Sequence, residues 1–157
     1  MRMTRFDRRT LLTMFGGALA VPLLKGRASA AAAEAGFVMW RDPGCGCCLE
    51  WAKRMETAFG RPLRIVSAPN MAAIKTARGV PAGLRSCHTA LVAGYSIEGH
   101  VPPADIKRLI ASRDRTVRGL AVPGMPMGSP GMEHGGHSEP YQVIAFGPRG
   151  QRVFATH

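Results

Sequence analysis

The chain is poor in acids, aromatics and cysteines and has no long apolar run, and each shortage removes a class of function. Ten Asp and Glu stand against 21 Lys and Arg, a formal net charge of +11. Such a balance suggests a nucleic-acid or anionic-membrane binder. Aromatics make up only 6% of the chain, however, and do not interleave the scattered basic residues. The stacking platform of a nucleic-acid surface is therefore missing. Four cysteines in 157 residues are too few for a disulfide scaffold, though enough for one metal or redox site. The mostly apolar run from Leu11 to Leu24 spans 14 residues and contains Pro22, short of a comfortable membrane span. No internal repeat is visible. Hydrophobic residues at 46% and charged ones at 20% exclude a chain disordered throughout. The length allows one ordinary domain.

Residues 1–30 read as a cleaved signal peptide. Arg2, Arg5, Arg8 and Arg9 precede the apolar run, and Ala28-Ser29-Ala30 is an A-x-A cleavage site. Arg8-Arg9 followed by Thr10-Leu11-Leu12, with Lys25 and Arg27 near the cleavage site, gives it a twin-arginine character. A Sec signal, or an uncleaved anchor that contains Arg-Arg, is the alternative. Cleavage would leave 15 basic and 9 acidic residues, a net +6. Nearly half of the charge thus belongs to the signal, and the rest reads as a solvated face. The expected product is periplasmic, with no stable membrane anchor and no nucleic-acid partner.

Along the mature chain, 31–36 is a small-residue linker and 37–157 a single domain. Phe37 to Trp40 reads as a buried strand ended by the turn residues Asp42-Pro43-Gly44. Cys48, Trp51, Ala52, Met55 and Phe59 recur at helical spacing, and Gly60 and Pro62 stop that helix. Leu63 to Val66 is a second strand. Asn70 can cap a short helix through Arg78, with Gly79 beyond it. His88 to Ala93 and Tyr95 to Ile97 flank Gly94 as a hairpin. Pro102 or Pro103 can open a helix through Ser112 that buries Ile106, Leu109 and Ile110. The glycine- and proline-rich stretch Arg118 to Pro140 reads as one long loop. Tyr141 to Phe146 and Val153 to Ala155 read as a closing hairpin. The order β-α-β-α-β-β-α, a βαβ unit followed by ββα, is the skeleton of an α/β thioredoxin-like fold, here with an added loop and C-terminal β-hairpin.

In that skeleton reactive cysteines sit where the first strand turns into the first helix, and Cys45-Gly46-Cys47-Cys48 falls there. Cys45 and Cys48 have the C-x-x-C redox spacing at a helix N-terminus, where the dipole and free N–H groups favour thiolate. Adjacent Cys47 and Cys48 are poorly placed to bridge each other, which leaves Cys45–Cys48 as the disulfide if one forms. Cys47 adds a third sulfur that dithiol exchange does not need, making a soft-metal site. The skeleton also points the start of the third strand, Cys87-His88, at this motif, where a cis-proline is usual. His100 should border the site from the start of the third helix. The loop supplies Met125, Met127, Met132, His134 and His137 as further candidate ligands. Thioethers and imidazoles suit copper, whereas zinc sites rarely recruit Met.

The stretch from Cys45 to Phe154 resembles a bacterial family long filed as a domain of unknown function, the CopG-like copper-resistance family. The residues that carry the likeness are Gly44-Cys45-Gly46-Cys47-Cys48, Gly79-Val80-Pro81, Leu84 to Thr89, Gly94 to Pro102, Gly119 to Pro126 and Gly128 to Glu133. The resemblance implies an exported thioredoxin-like protein that handles copper through its C-x-C-C motif. It implicates Cys45, Cys47 and Cys48, with Cys87, His88, His100, Met125 and Met132 nearby. The first expectation is therefore a copper-binding protein, favouring Cu(I), with coupled thiol and copper redox. A periplasmic copper chaperone, exporter or oxidase would be its partner. The second is a thiol–disulfide oxidoreductase using Cys45 and Cys48. The third is a structural zinc module.

Overall fold

The computed structural model describes residues 36–133 and 135–157. The expected signal, all of the linker except Gly36, and His134 lie outside the described residues. Among the described residues, seven strands, three helices and one 3-10 turn follow each other. They are β1 (Phe37–Arg41), α1 (Gly46–Phe59), β2 (Arg64–Ser67), α2 (Met71–Ala77), the turn Ala82–Leu84, β3 (His88–Val92), β4 (Tyr95–Glu98), α3 (Pro103–Ser112), β5 (Gly119–Ala121), β6 (Gln142–Gly147) and β7 (Gly150–Thr156).

One mixed sheet runs in the order β2-β1-β3-β4-β5-β6-β7. β1 is parallel to β2, β3 is antiparallel to both β1 and β4, and β4 is parallel to β5. β5, β6 and β7 continue antiparallel. The first four strands with their helices keep the expected βαβ and ββα order, so nothing in the topology conflicts with a thioredoxin-like skeleton. The last three strands extend the sheet beyond β4.

Local chemistry explains the element ends. Gly60 closes α1 in the left-handed region at φ +64°, its N–H bonded to Glu56 O at 2.8 Å, a conformation glycine reaches without steric cost. Asn70 Oδ1 accepts from Ala73 N at 3.0 Å and so caps α2. Ala93 and Gly94 both have positive φ, as a two-residue hairpin turn of right-handed twist demands.

Side-chain alternation then sorts the strands onto two faces. Met39, Ala90, Val92 and Ile97 pack with Trp51 and Met55 of α1 and Ile106 and Leu109 of α3 in the main core. Val80 and Leu84 form a smaller cluster with Ala121 and Phe146.

One expectation is corrected. The stretch from Arg118 is not loop throughout, because Gly119–Ala121 forms β5, paired to β4 and β6. Gly119 has to be glycine there, since a Cβ would overlap Ser96 O and the Phe146 ring. Smaller differences concern α1, which starts at Gly46 rather than Cys48, β4, which runs on to Glu98, and β7, which spans Gly150–Thr156 rather than Val153 to Ala155. The second places a carboxylate inside the fold.

Candidate metal centre

The site grows from the turn after β1. Asp42 Oδ1 accepts from Gly44 N at 2.9 Å, and Cys45 N donates to Asp42 O at 3.1 Å. The Arg41 guanidinium staples the turn by donating to the carbonyls of Asp42, Pro43 and Cys45 at 2.8–2.9 Å. Cys45 is thereby fixed as the residue preceding α1, with Cys47 and Cys48 in the first turn. No acidic residue stands in that turn and no side chain caps it, so the helix keeps its positive end there.

Cys45 and Cys48 form a disulfide, whereas Cys47 and Cys87 are free and half-buried. Cys47 Sγ lies 3.5 Å from Cys45 Sγ. Cys87 comes in from the residue before β3, and all four sulfurs lie within 4.8 Å of one another. Cys87 belongs also to a second group with His88 and His100, again within 4.8 Å. The structure therefore joins the thiol and imidazole candidates from three separate segments into one continuous S and N donor set. Burial, and next the neighbouring Cys47, push the Cys87 thiol up to about 12. A thiolate at Cys87 accordingly calls for a compensating cation.

The two histidines are held in different ways. His100 Nδ1 donates to Pro130 O at 2.8 Å, which leaves the Nε2 lone pair facing Cys87 Sγ at 3.0 Å. A carbonyl that fixes the tautomer in this manner is the usual partner of a ligating imidazole. His88 is fully buried, with Nδ1 3.2 Å from Cys87 Sγ and its ring 4.4 Å from that of Trp51. Its Nε2 is buried without a hydrogen-bond partner. Burial lowers the basicity of both rings; for His88 the His100 and Lys75 charges add to it, while for His100 the Pro130 carbonyl opposes it. Both imidazoles are thus kept neutral, the form that donates a lone pair.

A strap from the loop covers this arrangement. Gly131, at φ +92°, lies so close to the start of α1 that a Cβ would come 2.8 Å from Trp51 N and 3.0 Å from Cys47 O. Glu133 accepts from Gly131 N at 2.7 Å and takes a two-pronged ion pair from Arg54 at 2.8 and 2.7 Å. Pro130 and Gly131 thus reach the centre through their backbone. Met132, beside them, is half-buried, as is Met127, whereas Met125 is 52% exposed. His137 is exposed and stands outside both ligand groups, and His134 lies outside the described residues.

Several contributors escaped the sequence reading. Glu98 is fully buried and pairs with Lys75 Nζ at 2.5 Å. The same carboxylate accepts from Ser86 N and from Thr89 Oγ1, each at 2.6 Å. It therefore grips the backbone and side chain on either side of Cys87-His88. Lys75 completes the network through Thr89 Oγ1 at 3.2 Å. The one available signal was a charged residue closing the apolar strand Tyr95–Glu98. Glu133 ends a stretch that carries the family likeness without its ion pair being legible there, and Arg41 and Arg54 gave no signal.

Residues 84–132 match the model of a protein family of unknown function, DUF411. Two solved structures are similar over nearly their whole length. One, "Copper resistance protein copG- Form 1", is 42% identical with a TM-score of 0.71, covering 77% of this chain and 95% of its own. The other, Form 2 of a protein of the same name, is 43% identical at the same TM-score, covering 77% and 96%. No curated protein matches the chain.

Proposed function

This chain belongs to the family of the copper resistance protein CopG, and we propose that it binds copper, as Cu(I), through the thiolates of Cys45, Cys47, Cys48 and Cys87. The observation that carries this reading is the convergence of four sulfurs within 4.8 Å. Thiolate is the ligand Cu(I) prefers, and the positive end of α1 suits the negative charge such a cluster gathers. His88 and His100 border the cluster as neutral donors. Met125, Met127 and Met132, with His134 and His137, are the loop's candidates for receiving, shielding or releasing the ion.

The Cys45–Cys48 disulfide withholds two of the four sulfurs. Two electrons and two protons restore both thiols and complete the set. In the opposite direction, forming that disulfide releases two electrons, enough to reduce two Cu(II) to two Cu(I) as two protons leave. Copper is cargo in this scheme, and a chaperone, exporter or oxidase would supply or accept it. The same scheme takes residues 1–30 as an export signal. Arg8→Lys/Arg9→Lys is expected to abolish periplasmic accumulation of the chain, scored by cell fractionation; an unchanged yield contradicts that assignment. No helix among the described residues is long and apolar enough to cross a membrane.

The disulfide at a helix N-terminus also favours a second reading, that of a thiol–disulfide oxidoreductase acting on proteins. Against it, Ser86-Cys87 leads into β3 at His88 where a cis-proline is usual, and Cys47 has no task in exchange through the Cys45–Cys48 pair. Zinc would accept four thiolates as well, but would leave the methionines without a part.

Anaerobic Cu(I) titration against a chelator, run beside an insulin-reduction assay, separates the three. Reduced protein is expected to hold Cu(I) far more tightly than protein with Cys45–Cys48 oxidised, and to prefer it to zinc. Cys47→Ser is expected to impair copper binding and leave disulfide exchange through Cys45–Cys48 intact. Equal copper binding by oxidised and reduced protein contradicts the proposal.

A further inference from the structure

The second pair of cysteines has a chemistry of its own. Cys47 and Cys87 are the two free thiols, both half-buried and neither inaccessible. Their sulfurs lie within 4.8 Å of each other, against an S–S bond length of about 2.05 Å. Other pairings are worse placed. Cys45 and Cys48 already bridge each other, and Cys47 and Cys48 are adjacent in the chain, where a bridge strains the backbone.

We propose that Cys47 and Cys87 form a second disulfide, so that the four cysteines hold four reducing equivalents, released in two pairs. This bond would tie the first turn of α1 to the residue before β3. It would sit beside the Cys45–Cys48 bridge without displacing it. His88 and His100 flank Cys87 at 3.2 and 3.0 Å.

A small organic disulfide is a sufficient oxidant. The Cys47 thiolate attacks one of its sulfurs, forming a mixed disulfide and expelling one thiolate. Cys87 then gives up its proton and attacks Cys47 Sγ, expelling the second. The sum is two protein thiols and one disulfide converted into one protein disulfide and two small thiols. Copper takes no part in this bond, so failure here and failure of the copper reading are separate results.

The test is to treat the metal-free protein, with Cys45–Cys48 intact, with oxidised glutathione. The chain is then unfolded, its remaining thiols are alkylated, and it is digested with trypsin without reduction. Before treatment two thiols take the label; afterwards none is expected to, and peptide 42–53 is expected joined to peptide 86–107. Cys47→Ser and Cys87→Ser should each keep one thiol unbridged. The Cys45→Ser/Cys48→Ser variant, which retains only the proposed pair, should still form the cross-link. Two labelled thiols after treatment, a separate glutathione on each, or a bridge between two molecules would overturn the proposal. So would loss of the cross-link in Cys45→Ser/Cys48→Ser with its fold intact by circular dichroism.

Discussion

Cys87→Ser is expected to lower the Cu(I) affinity of the reduced protein by about 100-fold or more, since metal-site affinity is divided among few ligands. The hydroxyl matches the thiol in size but is a poor partner for a soft ion. Cys87 occupies the junction of the site, shared between the sulfur group and the imidazole group. Its loss opens the sulfur set and separates both histidines from it. In the metal-free protein the same substitution should do little. Burial and the neighbouring Cys47 keep the thiol neutral up to about 12, so no buried charge disappears with it. Chelator competition and a denaturant melt of the apo form should therefore diverge, with binding impaired and stability nearly unchanged. A variant that binds within about threefold of the parent, well under the tenfold floor for lost metal-site contacts, would remove Cys87 from the ligand set.

Glu98→Gln should, by contrast, cost stability as well as binding. It leaves the Lys75 ammonium buried opposite a neutral amide, and breaking a buried ion pair on one side costs about 3–5 kcal/mol. The amide oxygen can still accept from Ser86 N, so most of that loss is the stranded charge. Lys75→Met/Glu98→Leu removes both charges and should recover part of the loss, leaving the Ser86 N–H and the Thr89 hydroxyl without these partners at about 1–3 kcal/mol each. Equilibrium unfolding of the two variants tests this order. If Glu98→Gln were as stable as the parent, the Lys75–Glu98 contact at 2.5 Å would not be a structural ion pair. Because Glu98 also grips Ser86 and Thr89 around Cys87-His88, the same variant should weaken copper binding by about 10- to 100-fold, as lost outer contacts of metal ligands do.

How far this molecule could be read from its sequence depended on whether each signal was local. The stripe Cys48, Trp51, Ala52, Met55 buries as its spacing requires. Gly60, Asn70 and Gly94 mark ends that backbone chemistry dictates within a few residues. β5 gave no such signal. Its three residues are too few to show alternation, its first is a glycine usually read as a breaker, and its partners are reached only through long-range pairing. The centre divides along the same line. The cysteine trio is a spacing that the eye can find, and the approach of Cys87 followed from strand order. The Lys75–Glu98 pair was hidden, because its members lie 23 residues apart and each alone resembles a surface charge. The Arg54–Glu133 clasp spans 79 residues and was equally silent. The methionines of the loop announced a soft-metal interest through composition, but only the fold distinguishes exposed Met125 from half-buried Met132.

The central claim is that thiolates drawn from two segments hold copper. Copper K-edge X-ray absorption of the reduced protein loaded with Cu(I) measures this directly. The account predicts a first shell dominated by sulfur, with the edge shape of Cu(I), and a smaller sulfur contribution in Cys87→Ser. A first shell of nitrogen and oxygen alone, or a sulfur shell that Cys87→Ser leaves unchanged, would contradict it.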